Sequence, residues 1–307
     1  MTKNVREKNF SGRWGAFIKE RFPLLNHLLL ITFYCSANAV VAHASAGTRP
    51  ALTVRSVLGG VMILCVFLHL RIFDEIKDFE KDRTAHPERP LPRGLIAVRE
   101  AKRVAGAIIL AEIGLGIYAG PHAFLAACCV IVYSLLMYKE FFIGDWLRPR
   151  LATYAFTHTV ISCWMSMLIY SSVTGRYFWK ASGEYGIFLI ANIMMFNVFE
   201  FGRKTFAKEE EKDMIESYSK SLGPAGAAVS VFIMAALAVF TGLWLGGVFR
   251  APYAFFIAMI SLLMLTLLSS VLYVYFNTAF WAKIFRGASA LFILFFNIII
   301  TSGFLIR

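Results

Sequence analysis

Five acids crowd into nine positions of one stretch, Arg71 to Gly94, which reads RIFDEIKDFEKDRTAHPERPLPRG: Asp74, Glu75, Asp78, Glu80 and Asp82. Asp74, Asp78 and Asp82 are spaced four apart. On a helix, four residues advance about 400° and rise about 6 Å, so the three carboxylates fall within an arc of roughly 80°. Like charges stacked so closely repel unless cations lie between them. Hard oxygen ligands at the end of a membrane helix are what Mg²⁺ needs to hold a diphosphate. The stretch then leaves the helix at Pro87, Pro90 and Pro92, where Arg89 and Arg93 can reach phosphate oxygens.

The elements that must position these acids are apolar. Of 307 residues, 58% are hydrophobic and 16% charged, and mean hydropathy is +0.64. A water-soluble protein of that balance would expose large apolar patches. Apolar runs near the length of a bilayer crossing recur from end to end, which reads as an all-α membrane protein. Nine transmembrane helices are expected, over 24–45, 52–70, 103–119, 121–138, 151–171, 184–201, 224–246, 253–275 and 285–305. Residues 1–23 form a basic cytoplasmic interfacial tail, with Trp14 and Phe17 able to lie at the membrane surface, and 24–307 form one polytopic domain. The run Ala42-His43-Ala44-Ser45-Ala46 resembles a cleavage site, but the preceding apolar run is too long for a signal peptide.

The net charge of +12 raises the question of nucleic acid. Placement answers it. With alternate loops assigned to two sides, all 31 lysines and arginines fall on the side of the N-terminus except Arg49, Arg55, Arg176, Lys180, Arg250 and Arg307. That asymmetry is the positive-inside rule and puts the N-terminus and the acid stretch in the cytoplasm. Anionic membrane lipid accounts for the basic excess, and no nucleic acid partner is expected. The expected location is the bacterial inner (plasma) membrane.

Other candidate groups are scattered. Cys35, Cys65, Cys128, Cys129 and Cys163 all lie within expected spans with no CxxC spacing, so neither a disulfide framework nor a zinc site is expected. Glu112 is a lone acid inside the third span, and His158 either faces a polar cavity or is satisfied by a neighbouring helix. Lys139, after Tyr133 and Tyr138 at the end of the fourth span, is either an interfacial anchor or a phosphate ligand. The sixth span ends in Asn197, Glu200, Arg203 and Lys204, and Glu209 to Glu211 with Asp213 read as a solvated charge run. Each of two polar segments follows the second helix of a four-helix set, opens with an acid and closes on a glycine. That correspondence implies two four-helix pseudo-repeats plus a last helix, with a site between the halves.

The first polar segment resembles the aspartate-rich signature of the UbiA superfamily of intramembrane prenyltransferases, N-D-x-x-D-x-x-x-D followed by R-P-L-P-x-G. This chain has Asp74-Glu75-x-x-Asp78-x-x-x-Asp82 and then Arg89-Pro90-Leu91-Pro92-Arg93-Gly94, with Asp-Glu in place of the opening Asn-Asp. The resemblance spans essentially the whole chain. The superfamily's second motif, D-x-x-D with a further Asp, corresponds here to Asn197 and Glu200 followed by two cations.

The resemblance implies a UbiA-like bundle and a Mg²⁺-dependent enzyme that moves an isoprenyl group from a polyprenyl diphosphate to a lipophilic acceptor of unidentified structure. It implies Asp74, Glu75, Asp78, Asp82 and Glu200 as metal ligands. Asp78, Asp82, Lys139 and Glu200 would be catalytic, and Arg89, Lys139, Arg203 and Lys204 would bind the diphosphate. Two alternatives share the scaffold: a membrane terpene cyclase, and a non-catalytic lipid-binding or transport protein.

Overall fold

The apolar runs read from the sequence coincide with helices of the computed structural model, which describes residues 9–50, 53–211 and 216–305. Lys3, Arg6 and Lys8 of the basic tail, Leu52 at the expected start of the second span, Asp213 and Arg307 lie outside the described residues. The helices are α1 (Phe10–Arg21), α2 (Leu24–Ser45), α3 (Val54–Lys77), α4 (Phe79–Ala85), α5 (Val98–Ala119), α6 (Pro121–Tyr138), α7 (Gly144–Leu147), α8 (Leu151–Thr159), α9 (Ile161–Thr174), α10 (Gly183–Arg203), α11 (Tyr218–Val248), α12 (Tyr253–Phe276) and α13 (Ala279–Leu305). No strand occurs among the described residues.

Seven of these, α2, α3, α6 and α10 to α13, are long and apolar enough to cross a bilayer, which makes the chain an integral multi-pass membrane protein. Two of the nine expected spans differ. The helix at the third, α5, opens on Arg99, Glu100, Lys102 and Arg103 and carries Glu112 inside. The fifth is broken at Val160 into α8 and α9.

Consecutive helices pack on one another around a ring, α2 on α3, α3 on α5, α5 on α6, α6 on α9, then α10 through α13, and α13 closes the ring against α2 and α10. Inside it, Tyr34, Ser166, Tyr185 and Asn192 are buried and linked by hydrogen bonds. Tyr34 Oη donates to the Ser162 carbonyl at 2.8 Å and Asn192 Nδ2 donates to Ser166 Oγ at 3.1 Å, tying α2, α9 and α10 in one register. Outward faces carry exposed Leu25, Ile117, Ile257 and Leu265, as lipid contact requires.

The basic tail does not simply lie on the membrane. Asn9 caps α1 by accepting from the Gly12 amide at 2.9 Å. Phe17 is fully buried with Ile72, Phe73, Ile76, Leu91 and Leu95 in a small second core under α1. Trp14 Nε1 donates to Glu100 at 3.0 Å, and Arg13 pairs with the same carboxylate. The helix therefore straps the acid stretch to α5.

Candidate active site

Backbone bonds from the Asp78 amide to the Asp74 carbonyl (2.9 Å) and from the Asp82 amide to the Asp78 carbonyl (2.8 Å) carry helical spacing through the junction of α3 and α4. The three aspartates keep their i, i+4 relation, but their surroundings separate them. Asp82 is buried and paired with Arg89 at 2.6 Å, so the RPLPRG turn folds back on the acid rather than presenting a free guanidinium. Arg93 is likewise engaged, bidentate to Glu20 of α1 at 2.9 and 2.7 Å. Gly94, at φ +75°, lets the turn close so that the Leu95 amide reaches the Pro90 carbonyl at 2.9 Å.

Glu75 does not stand with the other acids. One residue further round α3 it is buried, bonded to Arg21 at 2.6 Å and to Arg71 one turn earlier. Two guanidinium groups already compensate its charge, and it joins α3 to α1 rather than facing the aspartates. The helical period is consistent with the division: Asp74 and Asp78 lie about 40° apart round the helix, whereas Glu75, one turn after Arg71, lies about 100° round from Asp74.

On the aspartate face a small cavity of about 10 Å³ is lined by Leu70, Phe73, Asp74 and Lys77 of α3, Ser134, Met137 and Tyr138 of α6, and His158 of α8. Lys77 Nζ lies 3.7 Å from Asp74 and donates to Tyr154 Oη at 2.7 Å. Tyr154 in turn stacks on His158, with centroids 3.9 Å apart. Sequence reading passed over Lys77 and Tyr154. Lys77 was legible as i+3 from Asp74, while Tyr154 had only its i−4 relation to His158.

Opposite stands the end of α10. Arg203 is bidentate to Glu200 (2.6 and 2.8 Å), and Lys204 reaches the same carboxylate at 3.0 Å. The charge of Asp74 reaches Arg203, and those of Glu200 and Lys204 reach His158. The two segments singled out in the sequence thus meet, one acidic and one carrying more cations than acids. Gly202 makes the approach of α10 to α13 feasible, because a Cβ there would overlap the Ser289 side chain.

Other expected residues sit elsewhere. Lys139 is exposed, with its ammonium 5.6 Å from the Tyr138 ring, and borders the cavity only through that tyrosine. Glu210 pairs with Arg286, Glu211 accepts from Ser217 and Ser219, and Glu209 accepts from the Ala279 amide at the start of α13. The run 209–211 is therefore tied to α11 and α13 while Glu209 stays exposed to solvent. Glu112 has a partner that its sequence context hid: His69 Nδ1 of α3, at 2.6 Å.

Of the three aspartates, among the described residues, Asp78 has no ion pair and Asp74 meets only Lys77, at 3.7 Å. Burial raises the Asp78 carboxyl above the usual carboxylate range, and repulsion from Asp74 and Asp82 adds to it. Among the described residues Asp78 forms no ion pair, and no group of three His, Cys, Asp or Glu is arranged as a ready metal site. One unpaired carboxylate and one held only loosely by Lys77 fit Mg²⁺, which is commonly held by one or two protein carboxylates with substrate phosphates and water completing the shell.

Residues 28–299 match the UbiA prenyltransferase family along nearly the whole length of the bundle. The chain belongs to that family. Among solved structures, the apo UbiA homologue of Aeropyrum pernix K1 aligns with a TM-score of 0.67 at 16% identity, covering 91% of this chain and 97% of the homologue. A digeranylgeranylglyceryl phosphate synthase aligns with a TM-score of 0.62 at 16% identity, covering 92% and 99%. A UbiA homologue of Archaeoglobus fulgidus bound to GPP and Mg²⁺ aligns with a TM-score of 0.51 at 17% identity, covering 90% and 98%. At these identities the likeness is one of fold. No curated protein matches the chain.

Proposed function

We propose that this UbiA family member is an intramembrane prenyltransferase that moves an isoprenyl group from an isoprenyl diphosphate to a lipophilic acceptor. The observation that carries the reading is the nearness of the acid end of α3, with Asp74 and Asp78, to the end of α10 with Arg203 and Lys204, close enough that the charge of Asp74 reaches Arg203. A family relative of the same fold holds GPP with Mg²⁺, which is the ligand pair this arrangement suits. We place the site and the N-terminus on the cytoplasmic side, because the Lys/Arg-rich connections lie there.

Asp74 and Asp78 would hold Mg²⁺, which when bound withdraws charge from a departing diphosphate. Arg203 and Lys204, shared with Glu200, bind the diphosphate from the other side and offset the charge that grows as the C–O bond breaks. Lys77, anchored on Tyr154, neutralises the acids between turnovers. Phe73 and Tyr138, centroids 4.7 Å apart, line the cavity. A ring face turned toward an allylic cation there would be worth roughly 0.5–2 kcal/mol. Arg89, Lys139 and Asp82 act at one remove, by shaping the loop and the cavity rim. Glu75 serves as a tie to α1.

A non-catalytic lipid-binding reading is favoured by one observation, the compensation of Glu200 by two cations. The test is diphosphate release by purified protein from geranyl, farnesyl and geranylgeranyl diphosphates, with and without Mg²⁺, with a host lipid extract as acceptor source. Mg²⁺-dependent release that Asp78→Asn lacks is expected. Silence with every donor and extract would leave the binding reading, and a hydrocarbon formed from donor alone would mark a cyclase.

A further inference from the structure

Ionisation is half of the reaction. When a nucleophilic atom of the acceptor bonds to the isoprenyl carbon, it must lose a proton for the product to be neutral, and the group that takes it needs a free lone pair at the cavity. The acids do not qualify. Glu75, Asp82 and Glu200 are bound to arginine or lysine, and Asp74 and Asp78 are the metal ligands of the proposed function. Lys77 is charged, and Tyr154 Oη accepts its hydrogen bond.

His158 is different. Its Nδ1 lies 2.8 Å from the Tyr154 carbonyl oxygen, which can only accept, so Nδ1 carries the hydrogen. In the neutral ring the lone pair is then on Nε2, which is buried and has no hydrogen-bond partner. The ring is held in place by stacking on Tyr154 and by the edge of Phe141, at 5.9 Å. It lines the same cavity as Asp74 and Lys77. The α8 helix ends one residue later, at Thr159, so this side chain is presented where the fifth span breaks.

We propose that His158 Nε2 is the catalytic base that receives the acceptor's proton. This rests on the prenyltransferase reading above. The C–O bond to the diphosphate breaks with its electron pair leaving on the diphosphate. The acceptor's electrons form the new bond to carbon, and the pair of its former bond to hydrogen stays with the acceptor as the proton passes to Nε2. The charges that reach the ring are Lys77 from α3 and Glu200 and Lys204 from α10, and the proton is shed to the diphosphate or to water as products leave.

The experiment uses full-length protein, radiolabelled geranyl, farnesyl and geranylgeranyl diphosphates, and the host lipid extract. It measures diphosphate release and lipid-linked label separately for the parent, His158→Gln and His158→Ala. In both variants diphosphate release should fall less than ten-fold, while labelled product falls about 100-fold or more and the free prenyl alcohol appears. Imidazole added to His158→Ala should recover part of the product. Binding of a non-hydrolysable diphosphate analogue, unchanged in the variants, confirms that the site is folded. Product formation unaffected in His158→Gln, or product and release falling in parallel, overturns the assignment while leaving the prenyltransferase reading intact. Absence of release in the parent overturns both.

Discussion

Asp78→Asn and Glu75→Gln should move stability and metal affinity in opposite ways, though the two acids are three residues apart. Glu75 is buried and bonded to Arg21 and Arg71. Its neutralisation leaves two guanidinium groups without a counter-charge, at a cost of about 3 kcal/mol, the lower end for a broken buried pair. Asp78 is half-buried beside Asp74, and its charge is opposed by both. Two unit charges one helical turn apart, about 6 Å, repel by about 3 kcal/mol at an effective dielectric of 20. The Asp74 side chain is 54% exposed, so solvent screening reduces that to about 1 kcal/mol. Asp78→Asn should therefore unfold at the parent's temperature or slightly above it. Thermal unfolding in detergent gives the first quantity, and a Mg²⁺ titration by calorimetry with a diphosphate analogue present gives the second. Glu75→Gln should be destabilised with Mg²⁺ affinity within about three-fold of the parent, and Asp78→Asn should be stable with affinity lost. A stable Glu75→Gln that no longer binds Mg²⁺ would show that the separation of the two faces of α3 is wrong.

Further expectations follow from the same geometry. Arg203→Ala should weaken binding of a diphosphate analogue about ten-fold or more, since it removes a bidentate cation facing Asp74; an unchanged Kd would detach α10 from the site. The raised Asp78 carboxyl has two pH consequences of opposite sign. The apo protein binds that proton more readily than the unfolded chain does, so its small stabilising effect is present at acid pH and lost as pH rises through the raised value. Mg²⁺ competes with the same proton, so affinity should fall as pH drops through that value, with a midpoint above the ordinary carboxylate range. Calorimetric titrations across pH locate it, and a midpoint at or below that range would contradict the burial argument. Gly202→Ala should cost about 1–3 kcal/mol in thermal unfolding and lower turnover, because its Cβ would overlap Ser289 and push α10 from α13.

Much of this was legible in the sequence, for physical reasons. Long apolar runs gave the helices, and the i, i+4 acids gave the aspartate ladder. The ends were harder: the second apolar run was expected to stop at residue 70, whereas α3 continues to Lys77, since hydropathy falls at the water boundary while backbone hydrogen bonding does not. The broken fifth span was invisible because its run stays apolar through Val160. What could not be read was which cation meets which acid. Arg21 with Glu75, Arg89 with Asp82 and His69 with Glu112 join residues from different segments, and only the fold decides them. Glu75 shares the acid cluster with Asp74 and Asp78, and its different role follows from a rotation of one residue about α3.

The ring closes between α13 and α2. α13 also buttresses α10 just beside Glu200 and Arg203, and Arg286 ties down the loop that follows α10 through Glu210. A chain halted on the ribosome before α13 therefore already contains every residue that would touch the diphosphate, yet the wall that aims α10 at Asp74 is missing. The acid half of the site thus precedes in the chain the helix that holds the cation half in place.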